Sequence, residues 1–350
     1  SALQAVAAAD DGGGCVAMLE AARALMALPR MKNDIVFIFT SNEEKGSSSI
    51  RRSLEHPWLE NMSAIVGLEA RGTYGPAFLF QTSLGNKQLV RALIDSGAPA
   101  HANSLMIAIE GRTPTGTDFS NVRRKPGQLD GVLGYDIAFV GGLGWYHTHN
   151  DRPELVSKHS LQHHGEYVMA LAQHYGQLDY AVEASEDNAT YFNPFGHVLV
   201  SYPAFLSHVI SGLAALLTLA ALALAWRRGL FTITGFLAAF AITIGLMAVL
   251  AGVFYPLLVL AFNWFYVFIV YNAHIYQIAF LAITGAALAL AAAWGSGRLG
   301  AAPFYAVTMF VLTLLAISPA FVALLGLAED MHPQIPGILG TIDGLFTAET

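Results

Sequence analysis

Charged residues are scarce in this 350-residue chain: they make up 12% of the sequence, whereas hydrophobic residues make up 55%. A composition this apolar excludes an ordinary soluble protein. The shortage is uneven, since the first 200 residues hold 15 basic and 21 acidic side chains and the remainder holds only 3 and 4. The sequence therefore predicts a soluble region followed by a membrane region.

Cysteine and positive charge are also in short supply. Cys15 is the only cysteine, so no internal disulfide can form. The first 200 residues carry a net charge of −6, and because nucleic-acid binding needs a basic surface, no nucleic-acid partner is expected. Residue 1 is serine, and no charged segment with an apolar core precedes the first helix. We therefore expect no signal peptide and a chain that is truncated at its N-terminus.

Strand-like and helix-like segments alternate in the first 180 residues. Apolar runs predict strands at 35–39, 64–68, 77–80 and 136–140, and good helix formers predict helices near 15–26, 87–96 and 161–175. This alternation is typical of an α/β fold with a largely parallel sheet sandwiched by helices. Ligands and catalytic groups collect beyond the carboxyl ends of such strands.

Acidic, phenolic and imidazole side chains follow three of these strands. Glu43 and Glu44 come directly after the first strand, Glu69 ends the second, and Tyr146 and His147 follow the last. Neighbouring residues in an extended segment point opposite ways, so the two adjacent acids can hold different tasks, one facing a metal and the other a substrate.

Other polar residues of this region have structural interpretations. Asp10 and Asp11 lie just before the first helix, where an N-cap explains one aspartate better than the pair. Asp118 is expected to be the N-cap of a short helix. Four histidines in or beside the last helix are expected on its solvent face: His159, His163, His164 and His174.

Five motifs occur in the order found in zinc metallopeptidase family 28. They are Asp10-Asp11-Gly12, Asn42-Glu43-Glu44, Gly67-Leu68-Glu69-Ala70, Thr117-Asp118-Phe119 and the segment 146–154, YHTHNDRPE. The chain resembles the membrane-embedded branch of that family, the endoplasmic reticulum metallopeptidase and vacuolar membrane protease type. The resemblance covers residues 1–180 strongly and the rest in layout. It implies a zinc aminopeptidase-like fold, a peptide substrate and exopeptidase activity, in particular aminopeptidase activity.

The resemblance also implies a ligand set for two zinc ions. Asp10 would bridge the two ions, Glu44 and His147 would complete one site, and Glu69 would bind the other ion. His149 lies two residues beyond His147 and remains an alternative ligand. Family members carry a His-x-Asp motif shortly before the bridging aspartate, so the first ligand of the Glu69 zinc is expected upstream of the sequence in hand.

Two further residues acquire catalytic roles from the resemblance. Glu43 would be the general base that takes a proton from the attacking water. Tyr146 would donate a hydrogen bond to the developing oxyanion. A family member that has lost activity and only binds peptides or scaffolds a membrane complex remains an alternative.

The last 150 residues predict a multi-span region that contacts the lipid bilayer. A polar linker at 181–200 separates it from the peptidase domain at 1–180. Four apolar runs are long enough to span, at 204–225, 230–259, 275–294 and 304–325, and the aromatic segment 257–271 belongs to the interface.

The basic residues of this region indicate its orientation. Arg227, Arg228 and Arg298 mark two cytoplasmic loops under the positive-inside rule. The peptidase domain is therefore expected on the non-cytoplasmic side, whether periplasmic, extracellular or lumenal. A transporter is disfavoured, because the spans carry almost no ionisable residues.

Overall fold

Four strands form the central sheet of the N-terminal unit in the computed structural model. They are β1 (Ile65–Ala70), β2 (Phe78–Thr82), β3 (His101–Ala102) and β4 (Gly134–Phe139), in the order β1-β4-β2-β3. β1 and β4 run parallel, as do β2 and β3, whereas β2 and β4 are antiparallel. The sheet is therefore mixed, and the prediction of a largely parallel sheet is correct only in part. The structure describes residues 7–106, 116–123, 132–180, 182, 185, 187–194, 198–249, 252–253 and 299–311.

Five helices accompany this sheet in the described residues. They are α1 (Gly12–Met26), α2 (Ser48–Ser53), α3 (Lys87–Asp95), α4 (Asp118–Val122) and α5 (Lys158–Gln177). The helices predicted near 15–26, 87–96 and 161–175 are confirmed as α1, α3 and α5. α1 lies against α5, and both contribute apolar side chains to the core that includes Leu79 and Ile137 of the sheet.

The apolar run at 35–39 does not form the strand that the sequence predicts. Residues 34–42 have no regular secondary structure, and the run lines a cavity of about 760 Å³ together with β1. A strand needs a neighbour for its backbone hydrogen bonds. β1 pairs with β4 along one edge, and among the described residues no strand pairs with its other edge. The run lies near this free edge without pairing to it, although its composition suits a strand.

One of the four histidines on α5 is a core residue. His164 is fully buried, and its ring lies 4.9 Å from the ring of Phe139 on β4. The solvent-face prediction is wrong for this residue because helical spacing places it on the buried side of α5, between Ser160 and Leu171. The sequence pattern does not reveal the burial of His164, because a histidine in an otherwise apolar stripe is expected at the surface.

A pair of antiparallel strands follows α5 in the chain. β5 (Ala189–Phe192) and β6 (Val200–Pro203) are antiparallel and fall within and next to the segment 181–200. The Asn193 side chain donates to the Ala100 carbonyl oxygen at 2.8 Å. This hydrogen bond joins the end of β5 to the residue just before β3.

The second unit contains three described helices. They are α6 (Ala204–Arg227), α7 (Ile233–Val249) and α8 (Ala301–Val311). α6 has a mean hydropathy of 2.2 and, among the described residues, is the helix long and apolar enough to cross a membrane. α7 falls within the second predicted span and α8 overlaps the fourth, whereas 257–271 and 275–294 lie outside the described residues. The four-span count stays a prediction.

Candidate metal centre

The loops after β1 and β4 form one wall of the candidate site. The two strands are parallel, so their carboxyl ends are neighbours. Beyond them the Arg71 N–H donates to the Phe139 carbonyl oxygen at 2.9 Å. Tyr74 and Gly141 exchange two backbone hydrogen bonds of 2.8 and 3.1 Å. The loop that carries His147 is therefore fixed to the end of β1.

A tight turn presents the adjacent acids Glu43 and Glu44. They begin a single 3₁₀ turn, Glu43–Lys45, between Asn42 at φ 65° and Gly46 at φ 100°. Both flanking residues have left-handed backbone, which asparagine and glycine tolerate better than other residues. The turn thus follows the apolar run at 35–39, carries the two carboxylates, and leads directly into α2.

Asp10 and Asp11 have separate tasks. The Asp11 side chain accepts from the Gly14 N–H at 3.1 Å and caps α1, which confirms the N-cap interpretation for one of the pair. The Ala9 and Asp10 N–H groups donate to the Asp151 carboxylate at 2.7 and 3.2 Å. Asp151 is buried, and its hydrogen bonds orient the backbone of Asp10. Sequence reasoning gave Asp151 no role, although it lies in the motif at 146–154.

Asp10, Glu44 and His147 come together from three distant positions in the chain. One potential ligand atom from each lies within 4.8 Å of the others. His147 Nε2 lies 3.2 Å from Asp10 Oδ2 and also contacts Glu44 Oε1. His147 has φ 56°, an uncommon left-handed conformation for a residue with a side chain, and such outliers cluster at functional sites.

Two other candidate ligands lie outside this three-residue cluster. Glu69, at the end of β1, is not among the atoms within 4.8 Å, although it lines the same cavity as Asp10 and Glu44. His149 is exposed and is likewise outside the cluster of the described residues. The structure therefore brings together three of the four predicted ligands, and the fourth ligand, Glu69, lines the same cavity.

Burial and the repulsion between neighbouring carboxylates raise the pKa of three acids in the site. Burial raises the pKa of Asp10 to about 6, and the charges of Glu44 and Asp151 add to the effect while His147 opposes it. Burial, followed by the charges of Glu44, Asp118 and Asp10, raises the pKa of Glu43 to about 7. For Glu69 the pKa is raised well above its ordinary value, first by burial and then by neighbouring carboxylates.

This electrostatic pattern fits a bound cation. Several carboxylates that share a partly buried site repel one another, and a divalent ion would relieve that repulsion. Carboxylate oxygen and imidazole nitrogen are ligands that zinc accepts. The residues present therefore fit the metal that the sequence analysis predicts.

Tyr146 lies directly beside the cluster. Its ring stacks on that of His147 at 3.8 Å between centroids, and the Arg71 guanidinium lies 5.5 Å from its ring centre. Burial is the main cause that raises the pKa of the phenol, so the hydroxyl stays protonated and able to donate. Sequence reasoning did not single out Arg71, which follows β1 directly and donates to the Gly116 carbonyl oxygen at 2.8 Å.

The sheet and the cluster together define a class of protein. A mixed α/β domain with an Asp, Glu and His cluster beyond the ends of parallel strands is the arrangement of a metal-dependent enzyme domain. The family follows from comparison with known proteins. Residues 1–172 match the model described as peptidase family M28, and this part of the chain belongs to that family.

Curated relatives carry metallopeptidase and protease names. The chain is 30% identical over 213 residues to "Endoplasmic reticulum metallopeptidase 1" of Mus musculus, covering 58% of this chain and 23% of the relative. It is 28% identical over 208 residues to "Vacuolar membrane protease" of Yarrowia lipolytica, covering 58% of this chain and 20% of the relative. The matched part of the chain thus spans between a fifth and a quarter of the length of these relatives. No solved structure matches the chain. The family and these names support a metallopeptidase.

Proposed function

We propose that this protein is a membrane-anchored, zinc-dependent exopeptidase, specifically an aminopeptidase. The observation that carries the proposal is the convergence of Asp10, Glu44 and His147 beside Glu43. A cluster of two carboxylates and one imidazole offers three protein ligands, the number that catalytic zinc sites commonly use. Two zinc ions are proposed for the complete site: Asp10, Glu44 and His147 would hold one, and Asp10 and Glu69 would contribute to holding the other.

The residues around the cluster suit peptide hydrolysis. Zinc, when bound, supplies Lewis acidity toward the peptide carbonyl. Glu43 accepts a proton from the attacking water and returns it to the leaving amine, and its partial burial beside the cluster suits this exchange. Tyr146 donates its hydroxyl to the oxyanion that develops on the carbonyl oxygen.

The proposed layout has a peptidase domain at 1–180, a linker at 181–200 and a multi-span region at 201–350. α6 and the names of the membrane relatives support an integral membrane protein. Arg227 and Arg228 follow α6 and, under the positive-inside rule, support a cytoplasmic loop there. The peptidase domain is therefore proposed to face the non-cytoplasmic side.

The test is the Glu43→Gln variant of the full-length protein in detergent, with zinc content and hydrolysis of aminoacyl anilides measured on the same samples. The variant removes the proton acceptor and leaves the cluster in place. We expect unchanged zinc content and a loss of turnover of about 10²–10⁴-fold. Glu20→Gln, which changes an exposed acid on α1, is the matched control and should behave as the wild type.

Two outcomes would count against the proposal. Undiminished turnover in Glu43→Gln would remove Glu43 from its role. A full-length protein that binds zinc and peptides without hydrolysing them would support the alternative of an inactive, peptide-binding family member.

A further inference from the structure

The short helix α4 is fastened to the centre of the sheet by a buried carboxylate. Asp136 is fully buried on β4, and its Oδ2 accepts a hydrogen bond from the Thr117 hydroxyl at 2.6 Å. Thr117, rather than the predicted Asp118, is the N-cap of α4, and its Oγ1 accepts from the Ser120 N–H at 3.0 Å. The β1 residue opposite Asp136 is Gly67, and a methyl group there would lie 2.8 Å from Asp136 Oδ1. Glycine at this position therefore leaves room for the carboxylate.

α4 in turn holds the turn that begins with Glu43. The Asn121 side-chain amide donates to Ser47 Oγ at 3.0 Å and to the Thr117 carbonyl oxygen at 2.9 Å. Ser47 is fully buried with φ 53°, and its N–H donates to the Glu43 carbonyl oxygen at 3.1 Å. A continuous series of hydrogen bonds thus connects Asp136 in the sheet to the backbone of Glu43.

We propose that Asp136, Thr117 and Asn121 are positioning residues that hold the Glu43 turn at the metal centre. The inference rests on the proposed function, in which Glu43 is the proton acceptor. The run before the turn is irregular, so no strand of its own fixes the turn to the described sheet. α4 supplies that connection, because it contacts β1 and β4 on one side and α2 on the other.

The cost of burying Asp136 supports this role. A carboxylate in a sheet interior is unfavourable unless it is hydrogen-bonded. A structural residue at this position could be apolar, as Ala138 on the same face of β4 is. The carboxylate instead accepts from the residue that begins α4, and thereby fixes the orientation as well as the distance of the helix.

The test compares three variants of the full chain in detergent. Thr117→Val removes the hydroxyl with little change of shape, and Thr117→Ser restores it. Asn121→Asp removes both amide donors from an exposed side chain, so it should not prevent folding. The matched control is Asn193→Asp, which also removes a side-chain amide that donates two hydrogen bonds, of 2.8 and 3.2 Å. Asn193 lies near β3, at the opposite edge of the sheet from α4.

The first measurement is hydrogen exchange of the segment 41–49, which requires no enzymatic activity. We expect about tenfold faster exchange there in Thr117→Val and Asn121→Asp, since each lost hydrogen bond loosens the turn, with β4 amides unchanged. Thr117→Ser and Asn193→Asp should exchange as the wild type in this segment. The positioning role would be overturned if both Thr117→Val and Asn121→Asp exchanged at the wild-type rate in the segment 41–49. It would also be overturned if exchange were accelerated equally over the whole sheet.

The second measurement separates this inference from the proposed function. Displacement of Glu43 should lower kcat for aminoacyl anilides about tenfold with KM unchanged, because a misplaced catalytic group loses rate rather than substrate binding. If Glu43→Gln is inactive and Asn121→Asp keeps the wild-type kcat, only the positioning role is wrong. If Glu43→Gln itself keeps turnover, the proposed function is wrong.

Discussion

His164 makes the stability of the peptidase domain depend on pH. Its ring is fully buried against Phe139, and burial lowers its pKa from the ordinary value of 6.5 to about 3, with the charge of His163 acting in the same direction. The unfolded chain therefore takes up a proton at a pH where the folded chain does not. The contribution of His164 to stability is complete above pH 6.5 and is lost as the pH falls toward 3.

The size of the effect follows from the two pKa values. Each unit of difference corresponds to about 1.4 kcal/mol, so the loss on going from pH 8 to pH 5 is about 2 kcal/mol. His164→Leu removes the titrating group and keeps an apolar side chain in the core. Other titratable groups, including the partly buried Asp10 and Glu43, are the same in both proteins, so their titration cancels in the comparison.

The assay is denaturant unfolding of the full chain in detergent, followed by tryptophan fluorescence at pH 8 and pH 5. We expect the wild type to lose about 2 kcal/mol more than His164→Leu over this range. His159→Gln changes an exposed histidine on the same helix and should keep the wild-type dependence. An equal pH dependence in the wild type and His164→Leu would refute the reasoning.

Three further predictions concern the metal, the loops and the membrane. After dialysis against a weak chelator the wild-type chain should retain one zinc ion, and the His147→Gln variant should lose it. Two retained ions in the wild type would mean that another residue completes a second site. Gly72→Ala should lower the free energy of unfolding by about 1–3 kcal/mol, because its methyl group would overlap a backbone carbonyl of the loop after β4. Gly165→Ala, whose methyl group meets open space beside α5, should raise the free energy of unfolding by about 0.5–1 kcal/mol. Cysteines introduced at Ser185 and Thr347 should be labelled from the same side of the membrane, and labelling from opposite sides would contradict four spans.

The site could be predicted from the sequence better than the sheet. Polar residues after apolar runs located Glu44 and His147, and both lie in the cluster. The run at 35–39 has the composition of a strand, yet strand formation depends on a pairing partner that composition does not reveal. His164 and Asp136 were missed for a related reason, since a single polar residue in an apolar element shows its burial only when the neighbouring elements are in place.

The hydrogen bonds from Ala9 and Asp10 to Asp151 have a consequence for the order of folding. They join residues 142 and 141 positions apart, so they close a loop that includes the whole central sheet. Contacts of such large sequence separation form slowly, because the entropy of closing the loop must be overcome first. On refolding, zinc affinity should therefore return only after the two ends of this loop have come together. Metal binding at this centre would then report completion of the fold.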